Sequence, residues 1–336
     1  MTRVSVIGAG SWGTAVAAIA CSNAETVLWA RRPELADAMR ERHENPEYLP
    51  GLPLPESLGF TADLEEACTR ADVLVLGVPS HGMRAVLTEA APSVGAGVPV
   101  ISLSKGVEQG SLQRMTEVVD EVLTGHDSGQ VGVLTGPNLA REVAAGQPAA
   151  SVVALRDPEA ATALQSLFMT ATFRVYTNPD VVGCEIAGAL KNVMAIAAGI
   201  ADGLGYGDNT KAALLTRGLA ELTRLGVALG GEPLTFSGLA GMGDLVATCS
   251  STQSRNRTVG VELGKGRSLD DIVAEMKMVA EGVKTTAAVL ELSRRARVEM
   301  PIASFVGAVL YDGAQPKDLV LGLMLREAKA ELHGIS

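Results

Sequence analysis

A lysine inside an apolar stretch is the first residue of this chain that could do chemistry. Lys191 and Asn192 lie within EIAGALKNVMAIAAG, whose small and apolar side chains predict a buried helix. A buried ammonium is costly unless it has an acidic partner, a cavity or a proton-transfer task. Asp244, in the glycine-rich turn predicted at GLAGMGDLVATC, is a candidate partner. The residues alone leave open whether Lys191 pairs with Asp244, lines a cavity or transfers a proton.

A second cluster is suited to an anion. The segment SSTQSRNR places Ser254, Arg255, Asn256 and Arg257 side by side. An arginine flanked by hydroxyl and amide donors can hold a phosphate through charge-assisted hydrogen bonds. The alternative interpretation is a helix start that carries solvated arginines.

The glycines near the beginning of the chain match a dinucleotide fingerprint. VSVIGAGSWGTAVA places Gly8, Gly10 and Gly13 as G-x-G-x-x-G between an apolar strand and a helix. The three glycines permit a tight turn, close approach of a pyrophosphate and helix–strand packing, and the helix N-terminus favours the anion. A glycine turn that merely packs tightly is the alternative.

The second strand leads into two arginines. An acidic residue usually holds the ribose of NAD at this place, but here VLWA is followed by Arg31 and Arg32. Two guanidinium groups suit a 2′-phosphate, so we expect NADP(H) to be accepted. A solvated pair of loop arginines is the alternative, and the preference between NADH and NADPH stays open.

Further candidates follow other strands, where ligands of such sheets bind. Lys105 comes after one strand in SLSKG, and Gly136 with Pro137 follows the next in TGPNLA. For Lys105 an ordinary surface lysine is the alternative.

The arrangement of elements predicts two domains, 1–180 and 181–336. The first half alternates β-rich runs with helical patterns, which indicates a parallel sheet covered on both faces. From about residue 181, helical segments follow one another at about 181–201, 209–229, 255–264, 269–276, 282–296, 302–311 and 316–332. The predicted fold class is an α/β N-terminal Rossmann-like doubly wound sheet followed by an all-α C-terminal domain. The seven predicted strands are Val4–Ile7, Thr26–Trp29, Val73–Val78, Val98–Leu103, Val131–Leu134, Ser151–Leu155 and Phe173–Tyr176.

Composition excludes several classes of function. The 336 residues are 47% hydrophobic and 20% charged, with a formal net charge of −10. That balance argues against a nucleic-acid partner, because a protein needs a basic face to neutralise the phosphates. The four cysteines and four histidines are dispersed without metal-ligand spacing, so we expect no metal and reduced thiols in a cytoplasmic protein.

Two stretches imitate membrane or export signals. Residues 185–207 are apolar, but four polar or charged side chains interrupt them, so we expect no membrane insertion. Residues 15–21 loosely resemble a lipoprotein cleavage site, but glycines and a tryptophan precede them and the basic start is a single arginine. The four interrupting residues of the first stretch are Glu185, Lys191, Asn192 and Asp202.

Taken together, the chain resembles the bacterial-type NAD(P)-dependent sn-glycerol-3-phosphate dehydrogenases. The resemblance runs from about Val4 to about Arg326. It implies NAD(P)H-dependent, reversible reduction of dihydroxyacetone phosphate to sn-glycerol 3-phosphate, a precursor of glycerophospholipids. The matching motifs, in order, are IGAGSWGTA, VPSH, SKG, TGPNLA, FRVYTNPD, GALKNVMAIAAGIADGLG, TRGLAE, GMGDLVATC, SRNR and VAEGVKTT.

The resemblance also implies roles for individual residues. Lys191 would be the acid/base at the C2 oxygen, with Asp244 orienting it. Asn138 departs from the family, which usually has a small hydroxyl residue there, but an amide can donate and accept hydrogen bonds similarly, so we expect substrate binding to survive. The implied substrate contacts are Lys105, Gly136, Lys191, Asp244, Arg255 and Asn256, with Thr248 and Ser254 as additions. The implied cofactor contacts are Ser11, Trp12, Arg32, Lys105, Ala140, Arg255, Val279 and Glu281.

Two other functions stay open at this point. One is a two-domain dehydrogenase of the β-hydroxyacid or 6-phosphogluconate type, although SRNR and GMGDLVATC fit a phosphotriose better. The other is a non-enzymatic NAD(P)-binding sensor, which the presence of Lys191, Asp244 and Arg255 disfavours. The small-residue faces of the helical half are compatible with a homodimer and equally with an internal core.

Overall fold

The computed structural model describes residues 2–276, 280–325 and 327–328. The chain forms two compact units. The first contains residues up to 108 together with 113–181, and the second contains 109–112 and the residues from 182 onward.

The first unit is built on an eight-stranded sheet. Its strands are β1 (Arg3–Ile7), β2 (Glu25–Trp29), β3 (Gly59–Thr61), β4 (Val73–Leu76), β5 (Val100–Ser102), β6 (Val131–Thr135), β7 (Ala149–Ala154) and β8 (Phe173–Asn178). The helices between them are α1 (Ser11–Ala20), α2 (Pro33–Arg42), α3 (Leu64–Thr69), α4 (Met83–Ala90), α5 (Met115–Val122), α6 (Ala140–Ala144) and α7 (Pro158–Phe168).

The strands follow the order β3-β2-β1-β4-β5-β6-β7-β8, so the chain crosses over from one edge to the centre after β3. Both faces of the sheet are covered. Alternate strand residues such as Val4 and Val6 pack in one core with α1, α2, α6 and α7. The strand residues that point to the opposite face, such as Leu74 and Leu76 of β4, pack in a second core with α3, α4 and α5. This period-two alternation places apolar side chains on both faces.

The sheet corrects the sequence prediction in two places. The pairing of β6 with β7 is antiparallel, whereas all the other pairings are parallel. β3 was not predicted, because three residues beginning with Gly59 carry almost no strand pattern. The seven predicted strands are present, with ends displaced by up to two residues.

The second unit is helical in its described residues. Its helices are α8 (Val181–Gly203), α9 (Asp208–Ala228), α10 (Pro233–Ser237), α11 (Asp244–Ser250), α12 (Arg255–Gly264), α13 (Leu269–Glu275), α14 (Glu281–Ala296), α15 (Pro301–Tyr311) and α16 (Pro316–Met324). The predicted fold class, a doubly wound α/β sheet followed by helices, is confirmed by this architecture.

Two predictions about this unit were wrong. The segment around Asp244 was expected to be a glycine-rich turn, but residues Leu239–Gly243 form one π-helical turn that leads directly into α11. Helix α10 was missed, because a five-residue helix shows no periodicity. The predicted last helix, 316–332, is described as far as Met324, and much of its remainder lies outside the described residues.

Helix α8 forms the centre of the second unit. Among the described residues it alone is long and apolar enough to cross a membrane, and 94% of its apolar window is buried inside the protein. Its apolar side chains pack with those of α9, α12, α14 and α15. The length and apolarity of α8 are therefore those of a core helix.

A buried carboxylate links two helices of this unit. Glu221 of α9 is 3% exposed, and it accepts hydrogen bonds from the backbone N–H groups of Ile302 (2.8 Å) and Ala303 (3.3 Å) at the start of α15. Burial raises the pKa of Glu221 to about 7, against the opposite effect of those two hydrogen bonds. The Glu221 carboxyl thus binds its proton more tightly in the folded chain than in the unfolded chain, where its pKa has the ordinary value of 4.5.

We predict that this carboxyl makes stability depend on pH. The stabilisation from its protonated form is complete below pH 4.5 and is lost as pH rises through about 7. Between pH 4.5 and 8 the wild type should lose about 3 kcal/mol of unfolding free energy relative to Glu221→Gln. Denaturant unfolding of both proteins across this range measures the difference, and parallel pH profiles would contradict the prediction.

Candidate active site

The three fingerprint glycines form the turn between β1 and α1. Gly8 has a φ of +120°, and a Cβ there would lie 2.7 Å from the carbonyl oxygen of Gly77. A Cβ at Gly13 would lie 2.0 Å from the carbonyl oxygen of Gly8. Both positions therefore require glycine for the fold itself.

Gly10 differs from the other two glycines. It is the N-cap of α1 with ordinary extended backbone, and a Cβ added to it would meet no protein atom within 4 Å. The start of a helix carries backbone N–H groups without intrahelical partners and the positive end of the dipole. The space beside Gly10, which holds no atom of the described residues, could thus accept the pyrophosphate of a dinucleotide. The protein fold itself therefore does not require glycine at position 10.

Five other residues were predicted to contact the cofactor, and the structure describes four of them. Ser11 donates through its hydroxyl to the carbonyl oxygen of Tyr48 (2.9 Å). The indole N–H of Trp12 is buried and has no hydrogen-bond partner among the described residues. Ala140 and Glu281 are the first residues of α6 and α14. Val279 lies outside the described residues.

The two arginines after β2 do not behave alike. Arg32 is the N-cap of α2 and forms an ion pair with Glu47, which raises the pKa of the guanidinium. Arg31 is exposed and forms no ion pair with the residues that the structure describes. The sequence analysis missed Glu47. It lies in the proline-rich loop between α2 and β3, where neither spacing nor periodicity indicated a partner for Arg32.

Lys105 and Gly136 are brought together at the carboxyl ends of β5 and β6. The Lys105 ammonium donates to the carbonyl oxygen of Gly136 (2.9 Å). The Asn138 amide donates to the hydroxyl of Ser151 (3.0 Å), while its side-chain oxygen is buried and accepts no hydrogen bond within the described residues. The NH2 group of the Asn138 side chain is thus used within the protein, and its buried oxygen is left without a hydrogen bond among the described residues.

Lys191 and Asp244 form a buried ion pair in the second unit. The ammonium also donates to the hydroxyl of Thr248 (2.7 Å), one helical turn after Asp244. Lys191 and Asp244 are 5% and 1% exposed, so both charges depend on each other for compensation. The predicted pairing of Lys191 with Asp244 is therefore present in the structure, and Thr248 completes a three-residue cluster.

Glycines hold α12 directly against α8. A Cβ at Gly199 would lie 2.1 Å from the carbonyl oxygen of Arg257, and one at Gly260 would lie 2.1 Å from that of Ile196. One turn further, a Cβ at Gly203 would lie 2.9 Å from the Cα of Gly264. Small residues four apart on each helix allow this backbone contact. The helix that bears Lys191 is thus fixed against the helix that bears the SRNR motif.

The four residues of SRNR have different tasks. Ser254 caps α12 by accepting from the backbone N–H of Arg257 (3.3 Å). Arg257 is turned inward and pairs with Asp202, whereas Arg255 is exposed at the first position of the helix. Arg255 is thus the exposed arginine of the motif, and it lies in the first turn of α12, at the positive end of the helix dipole.

Asn256 acts between helices. Its amide donates to the side-chain oxygen of Asn192 on α8 (2.9 Å), and its oxygen accepts from the backbone N–H of Gly282 on α14 (2.9 Å). Asn256 is 8% exposed. Its oxygen is therefore engaged in holding α14, and one amide N–H remains for a ligand.

The chemistry available to this cluster is proton transfer. Burial raises the pKa of the neighbouring Cys249 thiol to about 12, so this thiol is neutral and is not a nucleophile at pH 7. Among the described residues, no group of three or more His, Cys, Asp or Glu side chains could hold a metal ion. The second unit thus places a buried ammonium beside a carboxylate and a hydroxyl, and an exposed arginine at the start of α12.

Comparison with protein families identifies two matches that together span most of the chain. The model of the NAD-dependent glycerol-3-phosphate dehydrogenase N-terminus matches residues 3–161. The model of the C-terminus of the same dehydrogenase matches residues 180–321.

Individual relatives agree with the family match. The chain is 55% identical over 331 residues to a glycerol-3-phosphate dehydrogenase [NAD(P)+] of Sphingopyxis alaskensis, with 98% of both chains covered. It is 51% identical to one of Thermobifida fusca, with both chains covered completely. The crystal structure of a glycerol-3-phosphate dehydrogenase from Coxiella burnetii superposes with a TM-score of 0.91. That protein is 36% identical, and 97% of this chain and 99% of that chain are covered.

The glycine turn yields a prediction about the dinucleotide. Gly10→Ala should leave thermal stability unchanged and weaken NADH binding at least about tenfold, because its methyl group occupies the space of the pyrophosphate. Gly207→Ala is the matched control, since Gly207 is also a helix N-cap with open space around a Cβ. Fluorescence titration and thermal unfolding measure both effects. Binding of NADH to Gly10→Ala as tight as to the wild type would contradict the assignment.

Proposed function

Because the chain belongs to the NAD-dependent glycerol-3-phosphate dehydrogenase family, we propose that it reduces dihydroxyacetone phosphate reversibly to sn-glycerol 3-phosphate. The observation that carries the proposal is the buried cluster of Lys191, Asp244 and Thr248 on helices of the same unit as the Arg255 helix start. When bound, NAD(P)H supplies the hydride for the C2 carbon.

Lys191 is proposed as the general acid/base. In the reducing direction negative charge develops on the C2 oxygen, and the Lys191 ammonium donates a proton to it. Asp244 holds the ammonium by an ion pair, and Thr248 fixes it through a second hydrogen bond of 2.7 Å. In the oxidising direction Lys191 accepts the proton back.

The phosphate is proposed to bind at the start of α12. Arg255 supplies charge-assisted hydrogen bonds there, supported by the positive end of the helix dipole. Ser254 and Asn256 are the neighbouring substrate ligands that we propose, together with Lys105, Gly136, Asn138 and Thr248. Binding energy at the phosphate, remote from the reacting carbon, holds C2 in place for reaction.

We propose that residues 1–180 are the dinucleotide-binding domain and 181–336 the catalytic domain. The glycine turn and the start of α1 hold the pyrophosphate, and the arginines after β2 hold the adenosine end. The cofactor ligands that we propose are Gly8, Gly10, Ser11, Trp12, Gly13, Arg31, Arg32, Lys105, Ala140, Arg255, Val279 and Glu281.

The setting of this reaction is also a proposal. The product is a precursor of glycerophospholipids, and we place the enzyme in the cytoplasm.

A homodimer would need a surface other than the glycine faces of α8 and α12, which are used within the unit. Exposed Leu234, Met242 and Val246 on consecutive short helical segments offer one, and light scattering of the purified protein determines the mass.

The reaction is tested by following NADH and NADPH absorbance with dihydroxyacetone phosphate. We expect turnover with this substrate and none with β-hydroxyacids or 6-phosphogluconate, which would mark the rival dehydrogenase types. Lys191→Ala should lower kcat by about 10²–10⁴-fold while NADH still binds.

Two further variants make this test decisive. Lys265→Ala removes an exposed lysine of the same unit and should retain full activity. Lys191→Gln combined with Asp244→Asn removes both charges of the pair, so that a loss of activity cannot be attributed to an uncompensated buried carboxylate. Turnover close to that of the wild type in either Lys191 variant would remove this residue from the mechanism.

Neighbouring arginines should differ in their effects. Arg255→Leu should raise the KM for dihydroxyacetone phosphate about 10–100-fold, because a charge-assisted phosphate contact is lost. Arg257→Leu should instead lower thermal stability, since it removes one of the two cations that pair with Asp202. Unphosphorylated dihydroxyacetone is the control substrate. An equal effect of Arg255→Leu on both substrates would show that the phosphate does not bind there.

A further inference from the structure

The carboxyl end of β2 lacks the carboxylate that this fold commonly uses for the adenosine ribose of NAD. Trp29 ends the strand, and Ala30, Arg31 and Arg32 follow it. This strand therefore offers no acceptor for the ribose hydroxyls. A carboxylate reaches the same place from another segment of the chain.

The loop after α2 is fastened to the glycine turn. Asn45, which is fully buried, donates to the carbonyl oxygen of Ala9 and to the hydroxyl of Thr14, both at 2.9 Å. The side-chain oxygen of Asn45 accepts from the backbone N–H groups of Glu47 (3.3 Å) and Tyr48 (3.1 Å). Glu47 is thus held by a buried asparagine beside the predicted pyrophosphate site.

The fixed loop places the Glu47 carboxylate on Arg32. The two side chains are 45% and 49% exposed, so a ligand can reach both of them. Exposed ion pairs are weak, and the pair can exchange its partners for those of a bound nucleotide. The Arg32–Glu47 pair therefore presents one acceptor and one donor where the adenosine ribose is expected.

We propose that Glu47 sets the choice between NADH and NADPH, an inference that rests on the proposed dehydrogenase function. The Glu47 carboxylate accepts hydrogen bonds from the ribose hydroxyls of NADH. A 2′-phosphate is repelled by the same carboxylate and competes with it for Arg32. Glu47 thus supplies the acidic group that β2 lacks.

The experiment separates nucleotide recognition from turnover. Calorimetry of the full chain with adenosine 2′,5′-bisphosphate and with 5′-AMP gives the ratio of the two affinities. Glu47→Gln should move this ratio about tenfold toward the bisphosphate, because one repelling charge is lost and Arg32 is released. The ratio of kcat/KM for NADPH and NADH should move in the same direction.

Two control variants restrict the interpretation. Asp37→Asn removes an exposed carboxylate that pairs with Arg40 on α2, and it should leave the affinity ratio unchanged. In an Arg32→Gln background, Glu47→Gln should shift the ratio by less than it does in the wild type, since the competition for Arg32 is gone.

The outcomes distinguish this proposal from the function on which it rests. An unchanged affinity ratio in Glu47→Gln, or an equal shift in Asp37→Asn, overturns the role of Glu47. An equal loss of affinity for both nucleotides indicates that Glu47 only stabilises the loop, and it also overturns the role. Failure to reduce dihydroxyacetone phosphate with either cofactor would instead contradict the dehydrogenase, while the affinity ratio still reports on Glu47.

Discussion

The buried ammonium of Lys191 requires α11 to pack against α8 in the second unit. An ammonium inside a helix core is tolerated only where a carboxylate compensates it, and the loss of one partner of such a pair typically costs about 3–5 kcal/mol. Lys191 of α8 meets that condition through Asp244 and Thr248, both on α11. The packing of α11 on α8 is therefore a structural requirement, and it also positions the proton donor that we propose.

The start of α12, where we propose that the phosphate binds, is positioned by a different kind of contact. Glycines let the backbones of α8 and α12 touch, and Asn256 ties both helices to the start of α14. Arg257 fixes α12 from within by its ion pair with Asp202, which leaves Arg255 exposed. One short motif thus divides into residues that hold the helix and one residue that faces solvent.

Much of this architecture could be predicted from the sequence, because apolar periodicity and glycine spacing record local requirements. Seven of the eight strands and the long helices followed from such patterns, and the Lys191–Asp244 pair followed from the need of a buried ammonium for an acidic partner. The antiparallel strand β7 did not, since strand direction depends on pairing partners that are distant in sequence. Glu47 was missed for a similar reason. Its position is determined by hydrogen bonds from Asn45 across the fold, and its own neighbours in the chain carry no such signal.

The backbone contact between α8 and α12 limits how this enzyme can change. Side chains at most helix interfaces can adopt other rotamers when a neighbour grows, but a carbonyl oxygen has no such freedom. The offset between Lys191 and Arg255 is therefore inherited by any variant that keeps the four glycines. New substrate preferences should arise through exchanges of side chains at the rim of the site, whereas sliding one helix along the other would require rebuilding the whole unit.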